Sequence, residues 1–152
     1  MVKKDSGLEL VLIEDSQNDI ELFLNVVEWI DMGDQVKVFL DGREALDYLQ
    51  GTGKYELHSP EKPVVVFLDL KMPMIDGIEI LRSIRHNPLT MMHPVVVFTS
   101  SNQDNDVVKS YELGANSYVV KPVQFESYAS TIRDLINYWR NMNRPMTFRK
   151  AD

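Results

Sequence analysis

Five side chains in this sequence are of the types that together handle a phosphoryl group. They are Glu14 and Asp15 in LIEDS, Asp69 in FLDLKMP, Thr99 in VVVFTSS, and Lys121, which precedes Pro122 in YVVKP. Three carboxylates brought into one crevice repel each other, and a divalent cation is the simplest means of keeping them all ionised. Oxygen donors without His or Cys suit a hard ion such as Mg²⁺, which keeps waters and accepts phosphoryl oxygens as further ligands. An ionised Asp beside such an ion is a competent nucleophile and gives an aspartyl phosphate. A lysine, a hydroxyl and backbone N–H groups would then neutralise the oxygens of the transferred group.

These residues lie far apart in the chain, so the elements that carry them must bring them together. Val64–Leu68 and Val95–Phe98 are apolar at every position and rich in β-branched residues, as inner strands of a parallel sheet covered on both faces would be. Leu8–Ile13 reads as a third strand, with Val36–Leu40 and Ser117–Val120 as shorter strands nearer the edges. Helical patterns alternate with them. One starts at Ser16 with the core stripe Ile20, Phe23, Leu24, Val27 and Ile30. A second opens at Gly42 and closes at Gly51. A third runs from Asp76-Gly77 to Asn87 before Pro88, a fourth from Gln103 to Leu113 before Gly114, and a fifth from Phe125 to Asn141. Strict alternation predicts an α/β fold with an open, doubly wound, five-stranded parallel sheet and five helices. Ligands of such sheets bind at the carboxyl ends of the strands. Glu14, Asp15, Asp69, Thr99 and Lys121 all fall there.

Composition narrows the rest. The 152 residues carry 16 Lys and Arg against 23 Asp and Glu, a net charge of −7, which offers nothing to grip a phosphate backbone and argues against nucleic-acid binding. No cysteine is present, so disulfides, thiolate chemistry and Cys-ligated metals are excluded. No apolar run approaches a membrane span and no signal peptide is visible, so a cytoplasmic protein is expected. His58, His86 and His93 lack metal-ligand spacing, and GTGKY at Gly51 lacks the first glycine and the Ser or Thr of a phosphate loop.

With IEDS, FLDLKMPMIDG, VVVFTSS and ELGANSYVVKP in this order at successive strand ends, the chain resembles the receiver domains of two-component response regulators over roughly residues 8 to 140. The resemblance implies the flavodoxin-like strand order 2-1-3-4-5. It makes Asp69 the phosphoacceptor, Asp15 a direct Mg²⁺ ligand, Glu14 an acidic partner acting through water, and the Lys71 carbonyl a backbone ligand. Thr99 and Lys121 match the groups that bind the phosphoryl oxygens, Tyr118 matches the aromatic that swings inward with the threonine, and the Lys121–Pro122 bond is expected to be cis. SYELGANSYVVKPV, the segment GTGKYELHSPEK and a last helix bearing Trp139 are similar to the single-domain receivers paired with bacterial phytochrome-type kinases. The implied partners are a sensor histidine kinase and a downstream relay or target protein.

Boundaries follow as an N-terminal extension over 1–7, a receiver domain over 8–142 and a tail over 143–152. Leu22, Val26 and Trp29 lie opposite the core stripe at 100° per residue and are expected to face solvent as a kinase-docking patch. Phe125, Tyr128, Ile132, Leu135, Trp139 and Met142 form the stripe of the last helix, whose end is a candidate homodimer contact together with the last strand. Rival readings remain. A dehalogenase-type phosphatase needs an acid where Lys71 stands, and a flavodoxin-like binder needs a Ser/Thr-rich loop where EDSQND stands. A degenerate receiver acting without phosphate is disfavoured by the intact acids, Thr99 and Lys121.

Overall fold

The computed structural model describes residues 9–57 and 63–146. The expected extension over 1–7, the strand start at Leu8, His58 and the end of the tail from 147 lie outside the described residues. Five parallel strands, β1 (Leu10–Ile13), β2 (Val36–Phe39), β3 (Val65–Leu68), β4 (Val95–Thr99) and β5 (Ser117–Val120), stand in the order β2-β1-β3-β4-β5. The helices between and after them are α1 (Gln17–Trp29), α2 (Gly42–Gln50), α3 (Gly77–His86), α4 (Asp104–Glu112) and α5 (Phe125–Asn137), which continues as a π-helical turn at Tyr138–Met142. This is the doubly wound, flavodoxin-like order.

Local chemistry sets the helix ends. The Ser16 hydroxyl accepts the Asp19 N–H, and the Asp41 and Asp76 carboxylates accept N–H groups at the starts of α2 and α3. Gly51 closes α2 at φ 67°, a left-handed value that an L side chain would resist. The central strands β1, β3 and β4 are buried at every position, because helices cover both faces. One face packs Val11, Val66, Val95 and Val97 against Ile80, Leu81 and Ile84 of α3; the other packs Leu10, Phe67 and Phe98 against Phe23, Val27, Tyr128 and Ile132. Each such side chain contributes about 2 kcal/mol of burial.

The expected docking patch does not survive folding. Val26 is only 2% exposed, inside the core on the α1/α5 side, and Leu22 is half-buried against the same cluster. Trp29 is 66% exposed, with its ring edge-on to Phe125 at 5.7 Å. A 100° pattern marks one packed face, whereas α1 packs against both the sheet and α5, so its apolar arc is broad. The last helix differs likewise. Tyr128, Ile132 and Ile136 are its buried line, Leu135 and Trp139 are partly buried, and Phe125 and Met142 are exposed. A 3-4 stripe drifts only about 20° per seven residues, whereas each step of four turns about 40°, so the buried line Tyr128, Ile132, Ile136 swings toward Ile136 and leaves Leu135 at its margin.

Gly77 joins the fold to the loop after Asp69. A Cβ there would lie 2.3 Å from the Asp69 carbonyl oxygen and 2.6 Å from the Leu70 Cα, both backbone atoms that cannot turn aside. Gly77→Ala is therefore expected to lower stability by about 3 kcal/mol, read as a lower urea midpoint. At Gly42 a Cβ meets side-chain atoms of Ile80 and Ile75 instead, which can shift, so Gly42→Ala is expected to cost less.

Candidate functional site

The strand register places the predicted residues along one edge. Leu12 of β1 pairs with Phe67 of β3 and Ile13 with Leu68, so Glu14 and Asp69 emerge side by side, and the Asp69 N–H donates to the Ile13 carbonyl at 3.1 Å. Ligand oxygens of Glu14, Asp15 and Asp69 all lie within 4.8 Å of one another. Lys121 reaches them from the far side of the sheet's centre. Its N–H donates to the Thr99 carbonyl at 2.8 Å, and its Nζ donates to Glu14 Oε1 and, at 2.7 Å, to Asp19 Oδ2, while standing 3.5 Å from Asp69 Oδ2.

The Lys121–Pro122 bond is trans, since no described residue has a cis peptide. Trans is the ordinary preference even before proline, and the long lysine side chain reaches the acids from it. Thr99 ends β4 with its side chain buried and accepts the Ser101 N–H at 3.4 Å. Tyr118 is half-buried and its hydroxyl donates to the Ser101 carbonyl at 2.8 Å. The Lys71 N–H donates to Asp69 Oδ1 at 3.4 Å.

Electrostatics follow from burial and charge together. Glu14, 2% exposed, has its carboxyl pushed up to about 8, first by burial and then by its hydrogen bond to Asp69; the Lys121 ammonium opposes the rise. Burial acts to lower the Lys121 ammonium, but the hydrogen bonds it donates to Asp19 and Glu14, with the charges of Glu14 and Asp69, leave it raised. Four carboxylates thus face one lysine here, a set short of positive charge. Three convergent oxygen donors without His or Cys fit a hard divalent cation, which would supply that charge. Asp69 keeps a small exposed area at the carboxyl ends of the strands, 7% of the residue.

Asp19, whose Oδ2 accepts from Lys121 Nζ, joins this cluster although the sequence did not single it out. Its local sequence, an acid three residues after the Ser16 cap, is that of any helix-start acid, so nothing in the chain marked it. The other decoys resolve locally. Lys54 and Tyr55 of the short 3₁₀ turn at Gly53–Tyr55 both engage Glu44, and the His86 Nδ1–H donates to the Arg82 carbonyl within α3.

A parallel α/β domain with an acid triad and a lysine at its carboxyl edge defines the class of signalling phosphoacceptors that bind a divalent metal. The chain belongs to the response regulator receiver domain family, which it matches over residues 10–133. It is 35% identical over 130 residues to the response regulator Rcp1 of Synechocystis, covering 86% of this chain and 87% of that protein. The structure of the Mn²⁺-bound form of Rcp1 superposes with a TM-score of 0.83 at 30% identity, covering 93% of this chain and 99% of that one. That of the phosphorylated cyanobacterial phytochrome response regulator RcpA gives 0.84 at 28% identity, covering 91% and 98%. The bacteriophytochrome response regulator AtBRR gives 0.69 at 43% identity, covering 90% and 97%.

Proposed function

We propose that Asp69 accepts a phosphoryl group from a sensor histidine kinase and that the phosphorylated domain signals through protein contacts. The observation that carries this reading is the meeting of Glu14, Asp15 and Asp69 within 4.8 Å with the Lys121 ammonium 3.5 Å from Asp69. Asp15 and Asp69, with Glu14 behind them and the Lys71 carbonyl beside them, would hold Mg²⁺. The ion, when bound, supplies positive charge to the phosphoryl oxygens. Asp69 provides the nucleophilic oxygen, Lys121 and the Thr99 hydroxyl bind the transferred oxygens, and Tyr118 responds to the movement of Thr99. The same pocket assists later hydrolysis of the aspartyl phosphate.

Likeness to RcpA, a phytochrome response regulator, favours a phytochrome-type kinase as the donor. The reading places the domain in the cytoplasm, where such a kinase presents its phosphohistidine; no helix among the described residues is long and apolar enough to cross a membrane. The receiver domain is taken as 8–142, because Trp139 of the π-helical turn still packs on the core. The test is incubation with acetyl phosphate and Mg²⁺, read by intact mass. A single phosphoryl adduct is expected, and an unmodified protein would leave only the phosphate-independent receiver.

The same reading extends to self-association through β5 and α5, where Val120, Phe125, Tyr138 and Met142 are exposed. Light scattering is expected to show a mass rising toward twice the monomer with concentration, more so with a phosphoryl analogue. Met142→Asp, at an exposed position, is expected to weaken that rise without changing the fold.

A further inference from the structure

Asp106, on the first turn of α4, makes contacts that helix capping does not explain. A capping acid accepts backbone N–H groups of its own helix. The Asp106 carboxylate instead takes partners from two other segments: the Ser101 hydroxyl at 2.5 Å and the Lys71 ammonium at 3.3 Å, both on Oδ2. Those partners stand two positions beyond Thr99 and two beyond Asp69. Each is tied by its backbone to the site, Ser101 N–H to the Thr99 hydroxyl and Lys71 N–H to Asp69 Oδ1, both at 3.4 Å. Tyr118 joins the same cluster through the Ser101 carbonyl. The Ser101 hydrogen bond and the Lys71 charge hold the Asp106 carboxyl below its ordinary value.

We propose that Asp106 is a positioning residue that draws the Lys71 ammonium away from Asp69 and thereby shortens the life of the phosphorylated state. This rests on Asp69 being the acceptor. Lys71 has a long flexible stem and a side chain 62% exposed, so its ammonium can swing, whereas the Asp106 side chain, 24% exposed, is anchored by Ser101. A phosphoryl group on Asp69 carries up to two negative charges on three oxygens and competes with the single charge of Asp106 for the same ammonium. A lysine resting on a phosphoryl oxygen crowds the line along which water attacks. In that hydrolysis the water oxygen bonds to phosphorus, the bond from phosphorus to the Asp69 oxygen breaks, and its electron pair returns to the carboxylate. Both of the water's hydrogens leave with the phosphate, one on the attacking oxygen and one transferred to another phosphate oxygen. Asp106 opposes the shielding by holding Lys71 back.

The experiment follows loss of the adduct by intact mass after acetyl phosphate is removed, with Mg²⁺ present throughout. Asp106→Asn keeps an acceptor for Ser101 and removes the charge that attracts Lys71. It is expected to lengthen the half-life about threefold, the size of one partly exposed ion pair. Asp106→Glu is expected to restore the wild-type half-life. In a Lys71→Met background, Asp106→Asn is expected to change nothing, because the group it acts through is gone. Equal half-lives for wild type and Asp106→Asn would overturn the proposal. So would the same threefold lengthening in the Lys71→Met background, which would assign the effect to Ser101 or to α4 itself. Failure of the wild-type adduct to form, or its survival in Asp69→Asn, would instead remove the acceptor reading on which the proposal stands.

Discussion

Asp69→Asn is expected to abolish the phosphoryl adduct while leaving the protein at least as stable. Asparagine has nearly the shape of aspartate and keeps an oxygen for the Lys71 N–H, which donates to Asp69 Oδ1 at 3.4 Å. The amide oxygen carries no full charge, so it is a far poorer nucleophile toward phosphorus, and the adduct should fall below detection. Stability should move the other way. Asp69 lies in a buried group with Glu14 and Asp15, and its hydrogen bond and charge both push the Glu14 carboxyl up. Removing that charge relieves like-charge repulsion, while Lys121 keeps Glu14 and Asp19 as partners. A gain of about 1 kcal/mol in metal-free buffer is expected from the urea midpoint. An adduct at wild-type yield in this variant would place the acceptor elsewhere. A large stability loss would mean that Asp69 is held mainly as a structural partner of Lys121.

Which parts of this site could be read from the chain depends on the range of the interactions involved. VVVFL and VVVF announce buried parallel strands because burial on both faces leaves no polar position, and those strands carry Asp69 and Thr99 to the edge. Ser16, Asp76, Gly51 and Gly114 mark helix ends through bonds or dihedrals confined to a few residues. Asp19 and Asp106 were silent for the opposite reason. Asp19 meets an ammonium 102 residues away, and Asp106 meets one on the loop after β3; helix-start acids without such partners have the same local sequence. Val26 is buried because α5 lies beside α1, a neighbour that no 100° pattern can supply.

Lys121→Ala is expected to separate metal binding from phosphoryl acceptance by moving them in opposite directions. The ammonium, with a side chain 9% exposed, stands among Glu14, Asp19 and Asp69. Without metal, its removal leaves a buried acid group without its cation, and a loss of about 3 kcal/mol is expected in chelator-treated buffer. A divalent ion at the same oxygens would replace that charge, so Mg²⁺ should restore much of the loss. The competing cation is also gone, so calorimetric affinity for Mg²⁺ should rise about tenfold, worth roughly 1.4 kcal/mol in charge repulsion relieved. Acceptance from acetyl phosphate needs a fixed donor on the phosphoryl oxygens as well as the metal. Losing one such donor is expected to slow adduct formation about a hundredfold even at saturating Mg²⁺. If Mg²⁺ affinity fell together with acceptance, Lys121 would be acting as a brace that shapes the acids for the ion. The competition between two cations for one set of carboxylates would then be the wrong description of the pocket.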